Sequence, residues 1–346
     1  MSNTAIVLRT RSERLTLRLS RHTLFVVAAL GTALLGSAFV SLCLGSHSTS
    51  PANVFQALVS PHESDIALIV REIRLPRVLL AILVGAALGV AGLVLQGLVR
   101  NPLASPDVIG ITSGASAAAV FLLTIGGAAQ GSPLIPVVAI AGAFAVALTI
   151  LTVAWIKHAT PGQLILVGIG IASAMGALIT LMIVTSPDTT AMNAYLWLTG
   201  SLYAAQWGDV LGLLPWVAVF LPLALSRARH LDIMAMGDDM ATSLGSALNL
   251  NRLVLLLAAV ALAGSAVAFA GGLSFIGLVA PHMARNLSRS GSAGLILIAA
   301  MVGALMLLLA DIIGRIGFAP RDLPAGVFVA CIGAPYFVYQ LHRLRR

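Results

Sequence analysis

From residue 24 to residue 341 the chain alternates long apolar runs with short polar pieces, and that alternation leaves few folds open. A helix that crosses a bilayer needs about 20 mainly apolar residues. Ten runs approach that length: residues 24–44, 78–99, 108–125, 134–156, 164–184, 210–225, 253–270, 273–287, 294–313 and 324–341. The third, sixth and eighth are short or interrupted, and only Gly271 and Gly272 divide the seventh from the eighth. Composition agrees. Charged residues make up 9% of the chain, against about a quarter in an ordinary water-soluble domain. The expectation is an all-α membrane protein, a ten-span helical bundle forming one domain over residues 1–346. The longest gap, residues 45–77, has room for only a short surface helix at 54–59.

The placement of charge gives an orientation. With ten spans and an inside N-terminus, the inner pieces hold Arg9, Arg11, Arg14, Arg18 and Arg21, then Arg100, Lys157, Arg227, Arg229, Arg252, Arg285, Arg289, Arg343, Arg345 and Arg346. The outer pieces hold Arg71, Arg74, Arg77, Arg315 and Arg321. This is the inside excess of basic residues expected of a membrane protein, and it puts both termini in the cytoplasm. Residues 1–22 read as a basic cytoplasmic N-terminus and 226–252 as a cytoplasmic segment. The net charge of +8 is therefore topological, and no nucleic-acid partner is expected. The run 24–44 is too long for a signal-peptide core, and no A-x-A site closes it. Cys43 and Cys331 lie in apolar runs near opposite ends of the chain, and read as small buried hydrophobes without metal-ligand spacing.

Small residues recur at helical spacing. Ala81, Gly85, Gly89 and Gly92 share one face of the second span, with Gln96 a turn further, and Gly264 and Ala268 do the same in the seventh. Such faces let helices approach closely in lipid.

Energy-coupling chemistry is missing. A phosphate-binding loop needs a lysine followed by Ser or Thr; the single lysine, Lys157, precedes His158. Acids deep in the spans would mark ion coupling, yet the acids lie near span ends or in loops. Asp311 is the deepest, and a pairing with Arg315 accounts for it better than a proton relay. HExxH and GxSxG motifs are absent, and His282 beside Pro281 reads as a structural contact.

Three polar islands remain. In "REIRLPRVLL" (71–80), Pro76 begins a helix and Arg74 and Arg77 face outward, either to lipid headgroups or to an acidic partner. In "LVRNPLASPDVIGITSGAS" (98–116), Ser105, Pro106 and Asp107 suit a helix N-terminus in a tight turn. In "AMGDDMATSLGSALN" (235–249), Asp238 and Asp239 can start a short helix that Gly245 ends. Two turns at most do not hold themselves in water, so this helix needs a surface to rest on.

Together, "RLPRVLLAILVGAALGVAGLVLQGLVRNPLASPDVIGITSGA" (74–115), "MGDDMATSLG" (236–245), "GGLSFIGLVAPHMAR" (271–285) and "ADIIGR…LPAGVFVACIGAPYF" (310–337) resemble the FecCD-type permeases, the membrane subunits of iron-siderophore and vitamin B12 ABC importers. The resemblance runs over nearly the whole chain and thins before Arg71. It implies the type II importer bundle of ten spans in the bacterial inner membrane, with a second permease subunit, identical or paralogous. It also implies two ATPase subunits on the cytoplasmic side and a periplasmic substrate-binding protein. ATP and magnesium then belong to the ATPases, and no cofactor is expected on this chain.

The resemblance also implies residue roles. Arg74, Arg77 and Arg315 match arginines that meet acidic knobs of the binding protein. The stretch from Gly237 to about Leu250, including Asp238, Asp239, Ala241, Leu244 and Gly245, matches the coupling helices that rest on the ATPases. Thr160, Pro161 and Gly162 match a cytoplasmic gate, where only Thr160 has the small hydroxyl typical of the family. "LWLTGSL" (196–202) looks more like the siderophore permeases, which makes a ferric siderophore the expected cargo and cobalamin or heme the alternative. An ion-coupled secondary transporter is the rival of another class, and an intramembrane enzyme a more distant one.

Overall fold

The computed structural model describes residues 5–9, 16–45, 48–60, 65–129, 131–157, 161–318 and 321–344. It is a helical bundle with one small sheet, an antiparallel hairpin of β1 (Ala5–Arg9) and β2 (Thr16–Ser20) in the basic N-terminal piece.

Among the described residues seven helices are long and apolar enough to cross a membrane. They are α1 (Arg21–Cys43), the continuous helix 65–99, α6 (Leu134–Lys157), α7 (Pro161–Val184), α9 (Trp207–Ser226), α12 (Leu248–Ala270) and α14 (Ser292–Ile316). Within 65–99 lie α3 (Asp65–Leu68), a π-helical stretch Ile69–Arg74 and α4 (Leu75–Val99). Two shorter apolar helices, α5 (Ile111–Thr124) and α15 (Ala325–Leu344), and the amphipathic α13 (Ile276–Leu287) complete the bundle. Every run read from hydropathy therefore carries a helix. Four shorter helices fill gaps: α2 (Pro51–Val59), α8 (Asp188–Leu198), α10 (Ala228–Ala235) and α11 (Asp238–Ser243). Of these α8 and α10 are not expected as helices from the sequence, since each is polar near its start and lacks a long apolar run.

The core is built on α4, most of it buried, against α14, α12, α13 and α9. Small residues make this possible. A methyl group at Gly85 would overlap the Gly303 carbonyl, at Gly89 that of Ala299, and at Gly92 that of Gly277. The α4 face predicted from spacing is thus pressed onto the backbones of α14 and α13. Gly264 of α12 meets the Ala143 methyl of α6 in the same way. By contrast, α1 and α7 bury little of their apolar surface within the chain. Cys331 is also exposed, against expectation, because α15 turns that face out of the fold; Cys43 is half-buried.

Two helix starts differ from the sequence reading. Pro76 does not begin a helix, because the helix already runs from Asp65. In the π register the missing Pro76 N–H would have met the Arg71 carbonyl, and the Trp207 indole N–H donates to that carbonyl at 3.1 Å instead. The third span begins at Ile111 after Gly110 (φ +87°), not at 108. Residues 105–107 form a turn, in which Ser105 Oγ accepts from the Val108 N–H, and Asp107 turns across the fold to accept from the Phe275 N–H at 3.2 Å. Its carboxylate thus reaches the residue before α13 as well as the Thr112 side chain in the first turn of α5. Gly271 (φ +75°) sits against the Trp197 carbonyl, where α8 ends, so the break between α12 and α13 is a close backbone crossing.

Candidate functional site

The arginines and acids singled out in the sequence gather at the two opposite ends of α4. At its N-terminal end, three arginines engage groups that helices leave unsatisfied. The last carbonyls of any helix lack intrahelical donors. Arg71 Nε donates to the Ala57 carbonyl at 2.5 Å and its Nη2 to that of Ser60 at 2.9 Å, closing α2. Arg74 Nη1 donates to the Leu42 carbonyl at 2.6 Å, the Cys43 carbonyl at 3.2 Å and Thr49 Oγ1 at 3.1 Å, closing α1. Its guanidinium lies over Gly45, where a Cβ would come within 2.8 Å of Nη2. Arg315, in the last turn of α14, donates through Nη2 to the Ser41 carbonyl and hydroxyl, both at 2.8 Å. Its Nε is buried and has no hydrogen-bond partner among the described residues.

Arg77 does something different. It is 8% exposed and forks between two carboxylates. Nε and Nη2 reach Asp311 Oδ1 at 2.9 and 2.8 Å, and Nη1 and Nη2 reach Asp322 at 2.6 and 2.9 Å. Asp311 of α14 is 1% exposed, while Asp322 lies in the partly exposed loop before α15. The expected Asp311–Arg315 pairing is therefore replaced. Arg77 holds Asp311 in a bidentate bond, and Arg315 turns to α1. Planar fork geometry of this kind suits guanidinium and carboxylate. Arg74, Arg77 and Arg315 thus lie together, with their guanidinium groups directed into the protein.

At the opposite end, α10 and α11 form a compact lobe. Gly237 (φ +112°) precedes α11 and Gly245 (φ +75°) follows it, so the chain turns sharply at both ends. The carboxylates do not cap α11, as Gly237 holds that position without a side-chain bond. Asp238 Oδ1 instead accepts from Arg252 Nη2 of α12 at 2.7 Å and from Arg100 Nη2, the residue that ends α4 in a left-handed conformation (φ +53°). The Arg252 bond, opposed by partial burial and reinforced by Arg100, holds the Asp238 carboxyl below the usual carboxylate range. The three side chains are one-third to one-half exposed, where an ion pair contributes only about 0.2–1 kcal/mol to folding.

Asp232 of α10 accepts from the Ser292 N–H at 2.9 Å and hydroxyl at 2.6 Å, capping α14. Asn251, 2% exposed, accepts from Arg227 at 2.7 Å and lies 3.2 Å from His230 Nδ1. Ala241 is fully buried, while Met236, Met240 and Leu244, spaced four residues apart, are 69%, 55% and 60% exposed. Asp239 is exposed beside them.

Pro161 begins α7, and the Gly162 Cα faces open space. Thr160 lies outside the described residues. His282 contacts the Tyr336 ring edge-on at 6.2 Å between centroids, a packing role. Arg100, Arg252 and Asp232 escaped the sequence reading, because a lone charge at a span end is indistinguishable there from a topological one.

Known proteins are similar to this chain over most of its length. An achromobactin transport system permease protein of Dickeya dadantii is 45% identical over 88% of this chain and 87% of its own. An iron(3+)-hydroxamate import system permease protein of Bacillus subtilis is 41% identical over 88% and 92%. Among solved structures, an inward-facing metal-chelate type ABC transporter superposes with a TM-score of 0.80 at 27% identity, covering 92% of this chain and 99% of that one. The matching family model spans residues 33–343, and the chain belongs to the FecCD transport family.

Proposed function

We propose that this chain is the membrane-spanning permease subunit of an ATP-driven ABC importer that carries a ferric siderophore across the bacterial inner membrane. It crosses ten times, the seven long helices joined by α5, α13 and α15, with both termini in the cytoplasm. The permeases of achromobactin and of iron(3+)-hydroxamate named above support the cargo class, and cobalamin or heme is the alternative.

One observation carries the coupling role. Met240 in α11, with Met236 before it and Leu244 after it, exposes apolar surface at a helix too short to stand alone, at the cytoplasmic end of a chain without a phosphate-binding lysine. A groove on a separate ATPase subunit is the surface that would cover it. Two ATPases and a second permease subunit complete the complex, and hydrolysis is theirs rather than this chain's. Translocation is then a rocking of helices between outward- and inward-open states, driven from α11.

Docking of the periplasmic binding protein is assigned to the outer end, at Arg74, Arg77 and Arg315. Their guanidinium groups already hold internal partners. An acidic knob must therefore exchange with one of these, and Asp322 is the more exposed of the two carboxylates on Arg77. The buried Nε of Arg315 offers a further donor. The gate at Thr160, Pro161 and Gly162 is proposed from the resemblance alone.

The test is co-purification. Wild-type permease retains its ATPase subunits, Leu244→Asp loses them, and iron uptake stops when ATP hydrolysis is blocked. Uptake that survives that block and collapses with the ion gradient would replace this reading with secondary transport.

A further inference from the structure

The segment that meets the ATPase must move the spans, and the structure contains few connections through which it can. A glycine with positive φ flanks α11 on each side, so the chain turns at both ends and α11 does not continue into its neighbours. Energetic coupling then has to pass through side-chain contacts.

We infer that Arg100 and Arg252, joined on Asp238 Oδ1, are the positioning residues that transfer movement of α11 to α4 and α12. This rests on the reading that α11 is the ATPase contact. Three features support it. First, the carboxylate is engaged by Arg100 and Arg252 of this chain, while Met236, Met240 and Leu244 are left exposed, so a partner can cover them without breaking the clamp. Second, the two arginines belong to different helices: Arg100 ends α4, and Arg252 lies in the first turns of α12. A single oxygen therefore links α11 to both central helices of the bundle. Third, these helices cannot slide independently. The glycines of α4 press on carbonyls of α14 and α13, and α12 packs along α4. The Asp232 cap on Ser292 gives the neighbouring α10 a hold on α14 as well. A displacement received at α11 thus reaches α4, α12 and α14 as a unit.

The pair energies argue for this use. An exposed clamp adds little to folding, so its loss should spare assembly and impair transmission. The experiment uses the complete importer in proteoliposomes, with ATP hydrolysis and iron uptake measured together. Radioactive iron is presented as its citrate, hydroxamate and achromobactin chelates, the chelate taken up by wild type being scored. The expected result for Arg100→Gln/Arg252→Gln is a fivefold or greater rise in ATP consumed per iron, with ATPase subunits still bound in wild-type ratio. Asp238→Asn should match it, and all three changes together should add nothing further. Arg100→Lys/Arg252→Lys, which keeps both charges, should recover most of the coupling. A wild-type ratio of ATP to iron in the Gln pair overturns the inference. Loss of the ATPases from that variant does so too, since the arginines would then serve docking. The underlying reading fails separately: Leu244→Asp that keeps its ATPases removes α11 as the contact, whatever the clamp variants do.

Discussion

Arg77 and Asp311, 234 residues apart in sequence, meet through Nη2 and Oδ1 at 2.8 Å, with the carboxylate almost wholly buried. The bond ties the start of α4 to the end of α14, and Asp322 draws the loop before α15 into the same fork. An acid deep in an apolar helix is a candidate proton carrier when met in sequence. In the fold it is paired with Arg77, and its neighbour in sequence, Arg315, is engaged elsewhere.

Removing Arg77 leaves two carboxylates near one another without their cation. Breaking a buried pair by deleting one partner costs about 3–5 kcal/mol. Arg77→Met should accordingly lose stability by that order, seen as early aggregation on heating in detergent. Asp311→Asn keeps Asp322 on the guanidinium and should be milder. Its uptake should persist without a new pH dependence; a complete, pH-dependent loss would restore the proton relay.

Asp322 is expected to compete with the binding protein for Arg77. Asp322→Asn should tighten docking several-fold in a surface-binding assay, and Arg77→Glu should weaken it. Weaker docking for Asp322→Asn would mean that the loop before α15 is itself part of the contact.

The glycine faces make a paired prediction. Gly92→Ala drives a methyl into the Gly277 carbonyl and should abolish folded, monodisperse protein, overpacking being costly where backbone cannot yield. Gly170→Ala, on an open face of α7, should be tolerated. Equal yields of the two would contradict the packing described.

His230 gives a pH dependence of known sign. Burial, then the nearby Arg227 and Arg229, lower its pKa from 6.5, favouring the neutral ring that can accept from Asn251. The unfolded chain therefore binds a proton first. The contribution of His230 is complete above pH 6.5 and is lost as pH falls through the lower folded value. Thermal stability should decline over that interval, and His230→Gln should flatten the slope. The ring is only partly buried, so the effect is small.

The apolar runs located the spanning helices by themselves, though not the short α8 and α10, because in lipid every backbone group must be satisfied within its own segment. Helix positions, small-residue faces and the short α11 were therefore readable from local pattern. The partners of the charges were not. Arg315 is one helical turn from Asp311, yet packing of α4 on α14 brought Arg77 to that carboxylate and α1 to Arg315. Asp107 fits a local cap and also reaches the distant residue before α13. Asp238 looks like a cap and is a clamp across two helices. Hydrophobic periodicity is a property of neighbouring residues along the chain. Which cation meets which anion is decided only when glycine-lined helices close to contact and bring residues from separate spans within reach.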